Sequence, residues 1–447
     1  MARMKSKAAG LALMVGLYAT TAAGQGDSLG ADEIAAAIVQ MTTPVWTGPR
    51  TPTPPETARP EEASMAIPSP TRLVTLHAPP GTNEATLAKA LHALENAHDA
   101  LSVMGWPAPL PDGQLGGGPE LDLYLADADR PTAAHADGLA TWSFLDRAST
   151  FAVVSPATPD DALEACVTAA YAEALLMSMD PAEARTWRRA TAAWLTWVVT
   201  GRFGCEDAVF EQQAEPERSW ISGAVEGGAG GALLLGYLSA RHDGLKREFV
   251  RDAWLLSSQR TWEGEGLRAE PDLWAAIETS IARSGDRLID NIRDLAVQRW
   301  FVGRGTRQAP FFRTIDSDAQ VPVVRTLHRM PTRAVAKTPL EAFGSGYVLL
   351  ANDAWGTGRR LRVWLNGEYG VRWSLDAIQL DAVGNEIRHV AAPLTEGDPT
   401  AYVPVELTDD TRSLLLVVTN LSSRLPDADE PDANQRAFEV VIDRADD

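Results

Sequence analysis

Side chains able to hold a metal or move a proton are scarce in this chain and poorly spaced for joint work. The seven histidines, His77, His92, His98, His135, His242, His328 and His389, include no pair three or four residues apart. That is the separation at which two imidazoles on one helix can grip one ion. His92 and His98 are six apart, on nearly opposite faces of a shared helix, and His98 falls at the inner edge of an apolar stripe where a packed histidine is expected. No HExxH, GxSxG, phosphate-loop or GxGxxG pattern occurs, so the usual signatures of zinc hydrolysis, serine hydrolysis and phosphate cradling are missing. Gly227, Gly228, Gly230 and Gly231 precede a helix without a following Lys-Ser/Thr, which points to a tight turn or a helix contact. Trp355, Trp364, Tyr369 and Trp373 sit on or beside strand-like runs, where aromatics either fill a core or stack on sugar rings. Asp427, Asp429, Glu430 and Asp432 gather carboxylates without EF-hand spacing and with Pro431 among them, which reads as a solvated acidic loop more than a calcium site.

The elements that would position these residues divide the chain into five parts. Arg3, Lys5 and Lys7, a short apolar stretch and then Ala22 and Gly24 predict a cleaved signal peptide over residues 1–24 and a secreted or periplasmic protein. No later segment is long and apolar enough to predict a membrane span. Residues 25–70 are rich in proline and predict an extended linker, because proline denies that stretch a helix or a central strand. From residue 71 the folded part begins: a strand near 72–77, an amphipathic helix over 83–104 with Leu87, Leu91, Leu94 and Leu101 on one face, and strands at 121–125 and 151–155. Residues 160–179 and 182–200 form two helices broken at Asp180-Pro181 and packed antiparallel. Further helices fit 231–240, 245–257, 271–284 and 288–300, closing a domain over 71–303. Residues 304–339 predict an irregular connector. Seven short strands without intervening helices, at 347–351, 361–365, 371–375, 377–381, 402–407, 413–420 and 437–442, predict an antiparallel β-sandwich over 340–447.

Charge and cysteine content narrow the partners. A formal charge of −20 repels nucleic acid and anionic membrane surfaces. The two cysteines, Cys166 and Cys205, fall near the start of the first paired helix and just past the end of the second. In an oxidising compartment such a pair predicts a disulfide closing the helical hairpin.

Several segments together carry a resemblance. GWPAPLPDGQLGGGPELDLYL (105–125), a strand near FAVVS, VTAAYAEALL (167–176), TAAWLTWV (191–198), LLLGYLSA (233–240) and DLAVQRWFVG (294–303) before a β-sandwich resemble a family of secreted bacterial metalloproteases, similar to gluzincins in the helix pair. The resemblance covers about residues 71–443 in the same order. It implies an α+β, zincin-like domain with a small mixed sheet and a helical bundle, followed by the sandwich. In that family the first helix reads like VTAAHEFFHA and the second like EGTATWME, so two histidines and a distal glutamate hold zinc while the glutamate beside the first histidine activates water. Laid on this pattern, Tyr171 stands at the first histidine, Ala172 at the general base, Leu175 at the second histidine and Arg189 at or beside the distal glutamate. Glu173 lies one residue from the base position, about 100° around the helix. The resemblance therefore implies a pseudoenzyme, with no catalytic residue, no bound zinc or other cofactor, and a peptide or protein as its partner. Two alternatives stay open: a hydrolase in which Glu173 meets a histidine brought in by folding, and a cell-surface or glycan-binding module dominated by the sandwich.

Overall fold

The computed structural model describes residues 58–445, apart from positions 129, 142–145, 207, 223–225, 244–246, 260–268, 303–314, 316–318, 357, 395–396 and 427–434. The signal peptide predicted over 1–24, most of the predicted linker and the acidic loop lie outside the described residues. Among the described residues no helix is long and apolar enough to cross a membrane.

The chain is α+β. Its first part is a five-stranded mixed sheet built from β1 (Met65–Pro68), β2 (Val74–Ala78), β3 (Leu121–Leu125), β4 (Thr132–Thr141) and β5 (Asp146–Val154), in the order β1-β2-β3-β5-β4. β2, β3 and β5 run parallel, while β1 and β4 are antiparallel edges. The parallel step from β2 to β3 is made by α1 (Glu84–Val103). The Asn83 side chain caps its first turn by accepting from the Ala85 amide at 2.8 Å, and Gly105, at φ 81°, ends it. Alternation along the strands sends Val74, Leu76, Leu121, Leu123, Ala152 and Val154 into the apolar cluster shared with the helices.

The opposite face of the sheet is covered by the segment before β1, so the fold starts earlier than the boundary expected at residue 70. Pro68 ends β1 on the sheet edge, where a missing N–H is tolerated. Upstream, Ala63 packs with Tyr124, Phe151 and Val153. Arg59 reaches into three buried carboxylates: its guanidinium bonds Asp112 at 2.5 Å and Asp137 at 2.6 and 3.1 Å, and also meets Asp122 and the Tyr124 hydroxyl. It lies 5.0 Å from the Phe151 ring, and His77 Nε2 is 2.8 Å from Asp122. Burial pushes the Asp112 carboxyl up to about 7; Arg59 opposes that shift, and Asp122 and Asp137 add to it.

The helical part comprises α2 (Leu163–Met179), α3 (Arg185–Thr200), α4 (Ala208–Ala214), α5 (Ala232–His242), α6 (Phe249–Ser257), α7 (Leu273–Arg283) and α8 (Leu288–Arg299). Fifteen residues of the 17-residue α2 are buried, as expected of a helix enclosed on all sides by the sheet, α1 and α3. The break between α2 and α3 is held by Asp180, whose side chain accepts from the amides of Ala182 and Glu183 at 3.1 and 3.2 Å. α3 ends in the left-handed Gly201. Cys166 and Cys205 form a disulfide with Cα atoms 4.2 Å apart, tying the start of α2 to the turn beyond α3. Gly228 answers the question posed by the glycine cluster. At φ 99°, a Cβ there would come within 2.6 Å of Thr186, so this is a close turn against the start of α3.

The second part holds two sheets. One has the order β11-β10-β13-β8-β6 and the other β12-β9-β14-β7. The strands are β6 (Arg325–Leu327), β7 (Thr332–Val335), β8 (Ser345–Ala351), β9 (Arg360–Gly367), β10 (Trp373–Leu380), β11 (Glu386–Ala391), β12 (Thr400–Glu406), β13 (Ser413–Asn420) and β14 (Phe438–Arg444). Both sheets contribute to one apolar cluster, with Val348, Leu375 and Leu416 from the first and Val363, Val403 and Val440 from the second. β6 and β7 correct the expectation of an irregular 304–339: each pairs with a strand of a different sheet. The two strands expected at 371–375 and 377–381 are one. Asp376 continues β10 because its buried carboxylate accepts from Arg293 of α8 at 2.9 Å and lies 2.8 Å from His389 Nε2. The outer face of that sheet packs on α8, where the Tyr347 hydroxyl donates to the Ala296 carbonyl at 2.6 Å.

Candidate functional site

A small cavity opens between α2, α3 and the first residue of β4, Thr132. α2 lends it Ala169 and Glu173, four residues apart and therefore on one face, and α3 lends Arg189. Cys205 and Glu206, in the turn that the disulfide fastens to α2, close another side. The remaining wall is made of small residues, among them Ala192, Ala193 and Gly204. The cavity opens partly to solvent, and its interior of about 20 Å³ has room for one water-sized polar group.

Its polar groups are incompletely matched. Glu173 is only 3 % exposed, yet its carboxyl has no hydrogen-bond or ion-pair partner among the described residues. Burial pushes its pKa up, and the guanidinium groups of Arg189, Arg188, Arg185 and Arg130 pull it back. Arg189 Nη2 lies 3.7 Å from Glu206, while its Nη1 is buried without a partner. Arg188 donates to the Glu183 carbonyl but leaves Nε buried and unpartnered. Arg185 and Arg130 are exposed and make no ion pair with a described residue.

The four positions assigned by the resemblance are not brought together. Arg189 lines the cavity, whereas Tyr171, Ala172 and Leu175 are buried in the apolar core. The Tyr171 hydroxyl meets His98 Nδ1 of α1 at 3.1 Å, and burial raises the phenol's pKa. The i, i+4 pair of α2 that faces Arg189 is instead Ala169 and Glu173, two residues earlier. Neither set fits zinc. The first offers a phenol, a methyl, an isobutyl group and a guanidinium; the second offers one carboxylate beside a cation. Among the described residues no group of three or more His, Cys, Asp or Glu is arranged to hold a metal ion, and no histidine lines the cavity.

Arg130, Arg185 and Arg188 belong to none of the HExxH, GxSxG, phosphate-loop or GxGxxG patterns. A signal existed in the run RTWRRA, which sets Arg185, Arg188 and Arg189 at i, i+3 and i+4 of one helix in an acidic chain. The aromatic candidates of the second part separate. Trp355 and Trp373 are buried in its core, Tyr369 is exposed, and half-buried Trp364 lies beside Tyr402 with ring centroids 5.6 Å apart. Compared with known proteins, the chain matches no family model and no curated protein.

Proposed function

We propose that this is an extracytoplasmic, metalloprotease-like binding protein: a zincin-like sheet-and-helix domain whose cleft has exchanged metal chemistry for recognition of a peptide or protein, followed by a β-sandwich. The observation that carries the reading is the α2/α3 cavity. It puts an i, i+4 pair on one helix opposite a charged residue of the next, the arrangement a His₂-carboxylate zinc site needs. Methyl, carboxylate and guanidinium groups stand where imidazoles and a carboxylate would be required. The disulfide and the basic, then apolar, N-terminus support export. A mixed sheet with antiparallel edges packed on the helix pair, and two further sheets around one apolar cluster, support the domain assignment.

Restoring ligands tests the reading and the helix register together. The triple variant Ala169→His, Glu173→His, Arg189→Glu is expected to take up one zinc per chain, measured by metal analysis after dialysis. Tyr171→His, Leu175→His, Arg189→Glu is expected to take up none, because its imidazoles enter the core shared with α1. Circular dichroism establishes that each variant is folded. Zinc uptake by the second set alone would reject the cavity as the relic of a metal site.

A further inference from the structure

One side chain fastens the start of the fold. Among residues 58–64 only Ala63 is buried, Glu61 and Glu62 are exposed, and no helix or strand forms before β1. Arg59 alone reaches inward, and its surroundings match a guanidinium donor for donor. Nε and Nη2 donate to the two oxygens of Asp137 as a fork, Nη2 also donates to Asp112, and Nη1 donates to Asp122 and the Tyr124 hydroxyl. All five N–H groups thus have an acceptor, in a set of directions that a compact ammonium cannot satisfy. The guanidinium lies 5.0 Å from the Phe151 ring and 5.8 Å from the ring of Tyr124, which is itself stacked on His77.

The pocket exceeds what fastening a segment requires. Three buried carboxylates face one cation, and one oxygen of Asp112, a residue only 1 % exposed, is buried there without a donor. An apolar contact would hold residues 58–64 at a lower desolvation cost, so this concentration of acceptors marks a site built for recognition. The loop between α1 and β3 is shaped to it. It supplies Asp112, and a Cβ at Gly116 would overlap the Asp122 carboxylate and crowd Arg59. Asp112, Gly116, Asp122 and Tyr124, all from the GWPAPLPDGQLGGGPELDLYL block, therefore converge on one guanidinium. We infer that the outer face of the mixed sheet is a binding site for the arginine side chain of an extended protein segment, with Asp112, Asp122 and Asp137 as acceptors and Tyr124 and Phe151 as walls, and that Arg59 fills it as an internal ligand. Displacement of residues 58–64 by an arginine supplied in trans would uncover Tyr124, Phe151 and Val153, against which Ala63 packs. The site shares no lining residue with the α2/α3 cavity and does not depend on how that cleft is read.

The test uses the full chain carrying Arg59→Ala and follows its thermal unfolding as the blocked peptide TARPEEA, the sequence of residues 57–63, is added. At saturation the peptide is expected to raise the melting temperature by roughly 2–4 °C. It should bind about tenfold or more tightly than TAKPEEA, which offers an ammonium in place of the fork. The wild-type chain, whose pocket is filled, should bind neither, and Asp137→Asn added to Arg59→Ala should abolish the preference for arginine. Arg59→Gln, which keeps more of the bulk, serves if Arg59→Ala does not fold, and recovery of either variant's fold on adding propylguanidinium but not propylammonium is the same result by another readout. Equal affinity for the two peptides would reduce the pocket to charge neutralisation and overturn the inference, as would equal binding to the wild-type chain. No response of either variant to the peptide or to propylguanidinium would overturn it as well.

Discussion

Arg59→Ala is expected to destabilise the protein by roughly 3–5 kcal/mol at pH 8, the cost of leaving buried carboxylates without their cation. Asp112, Asp122 and Asp137 all lie within reach of this one guanidinium, and each is nearly inaccessible to solvent. One Asp112 oxygen has no partner even with Arg59 present. The loss should shrink as the pH falls. Asp112 titrates at about 7 in the folded chain, against about 3.9 when unfolded. Between those values the folded state binds the extra proton, so the stabilisation from protonating Asp112 is present at low pH and lost as pH rises through 7. Removing Arg59 takes away a charge that holds that pKa down and should move this window upward. Urea unfolding of both proteins at pH 8 and pH 5 measures the effect. An equal loss at the two pH values would show that Arg59 acts through packing on Phe151 and Tyr124 instead.

Breaking the Cys166–Cys205 bridge is expected to have an effect of comparable size. Cross-linked residues separated by 39 positions restrict the unfolded chain by about 4 kcal/mol in the loop-entropy description. Cys166→Ala with Cys205→Ala avoids placing a hydroxyl in the core, since Cys166 is completely buried. The denaturation midpoint of the double variant should fall accordingly, and reduction of the wild type should reproduce most of the change. Cys205 and Glu206 also form a wall of the cavity, so ligand affinity should fall with the bridge. A midpoint shift worth less than about 1 kcal/mol would mean that α2 and α3 hold the turn without it.

How much of this was legible in the residues depended on how each segment is buried. α1 has one apolar face, and its periodicity and its stop at Gly105 read directly. The Asp180-Pro181 break fixed an antiparallel α2/α3 pair, and the cysteines followed from that geometry. α2 is enclosed on every side, so its sequence carries no phase. Nothing in VTAAYAEALL tells which i, i+4 pair faces α3: Tyr171 and Leu175, to which the resemblance pointed, are buried in the core, while Ala169 and Glu173 line the cavity. β4, read as TAAHADGLAT, is poor in the β-branched and aromatic residues that mark strands. It forms because β5 supplies a partner along its whole length. Asp376 looked like a gap between strands because its partners, Arg293 and His389, are remote in sequence. Arg59 was hidden for the same reason: a lone arginine among prolines says nothing until the sheet gathers three aspartates around it.

The proposal that the cavity between α2 and α3 binds a ligand and does no peptide hydrolysis is open to a direct test. Metal analysis of the purified protein is paired with a general peptidase assay before and after chelation. Zinc needs three donor side chains and an open position for water. The cavity is lined by two carboxylates, Glu173 and Glu206, and no imidazole or thiolate, with the Arg189 guanidinium beside them raising the cost of a second cation. The expected result is zinc far below one equivalent per chain and no peptide hydrolysis under any condition of metal supply. One tightly held zinc per chain, together with a peptidase activity lost on chelation and recovered on zinc addition, would contradict it.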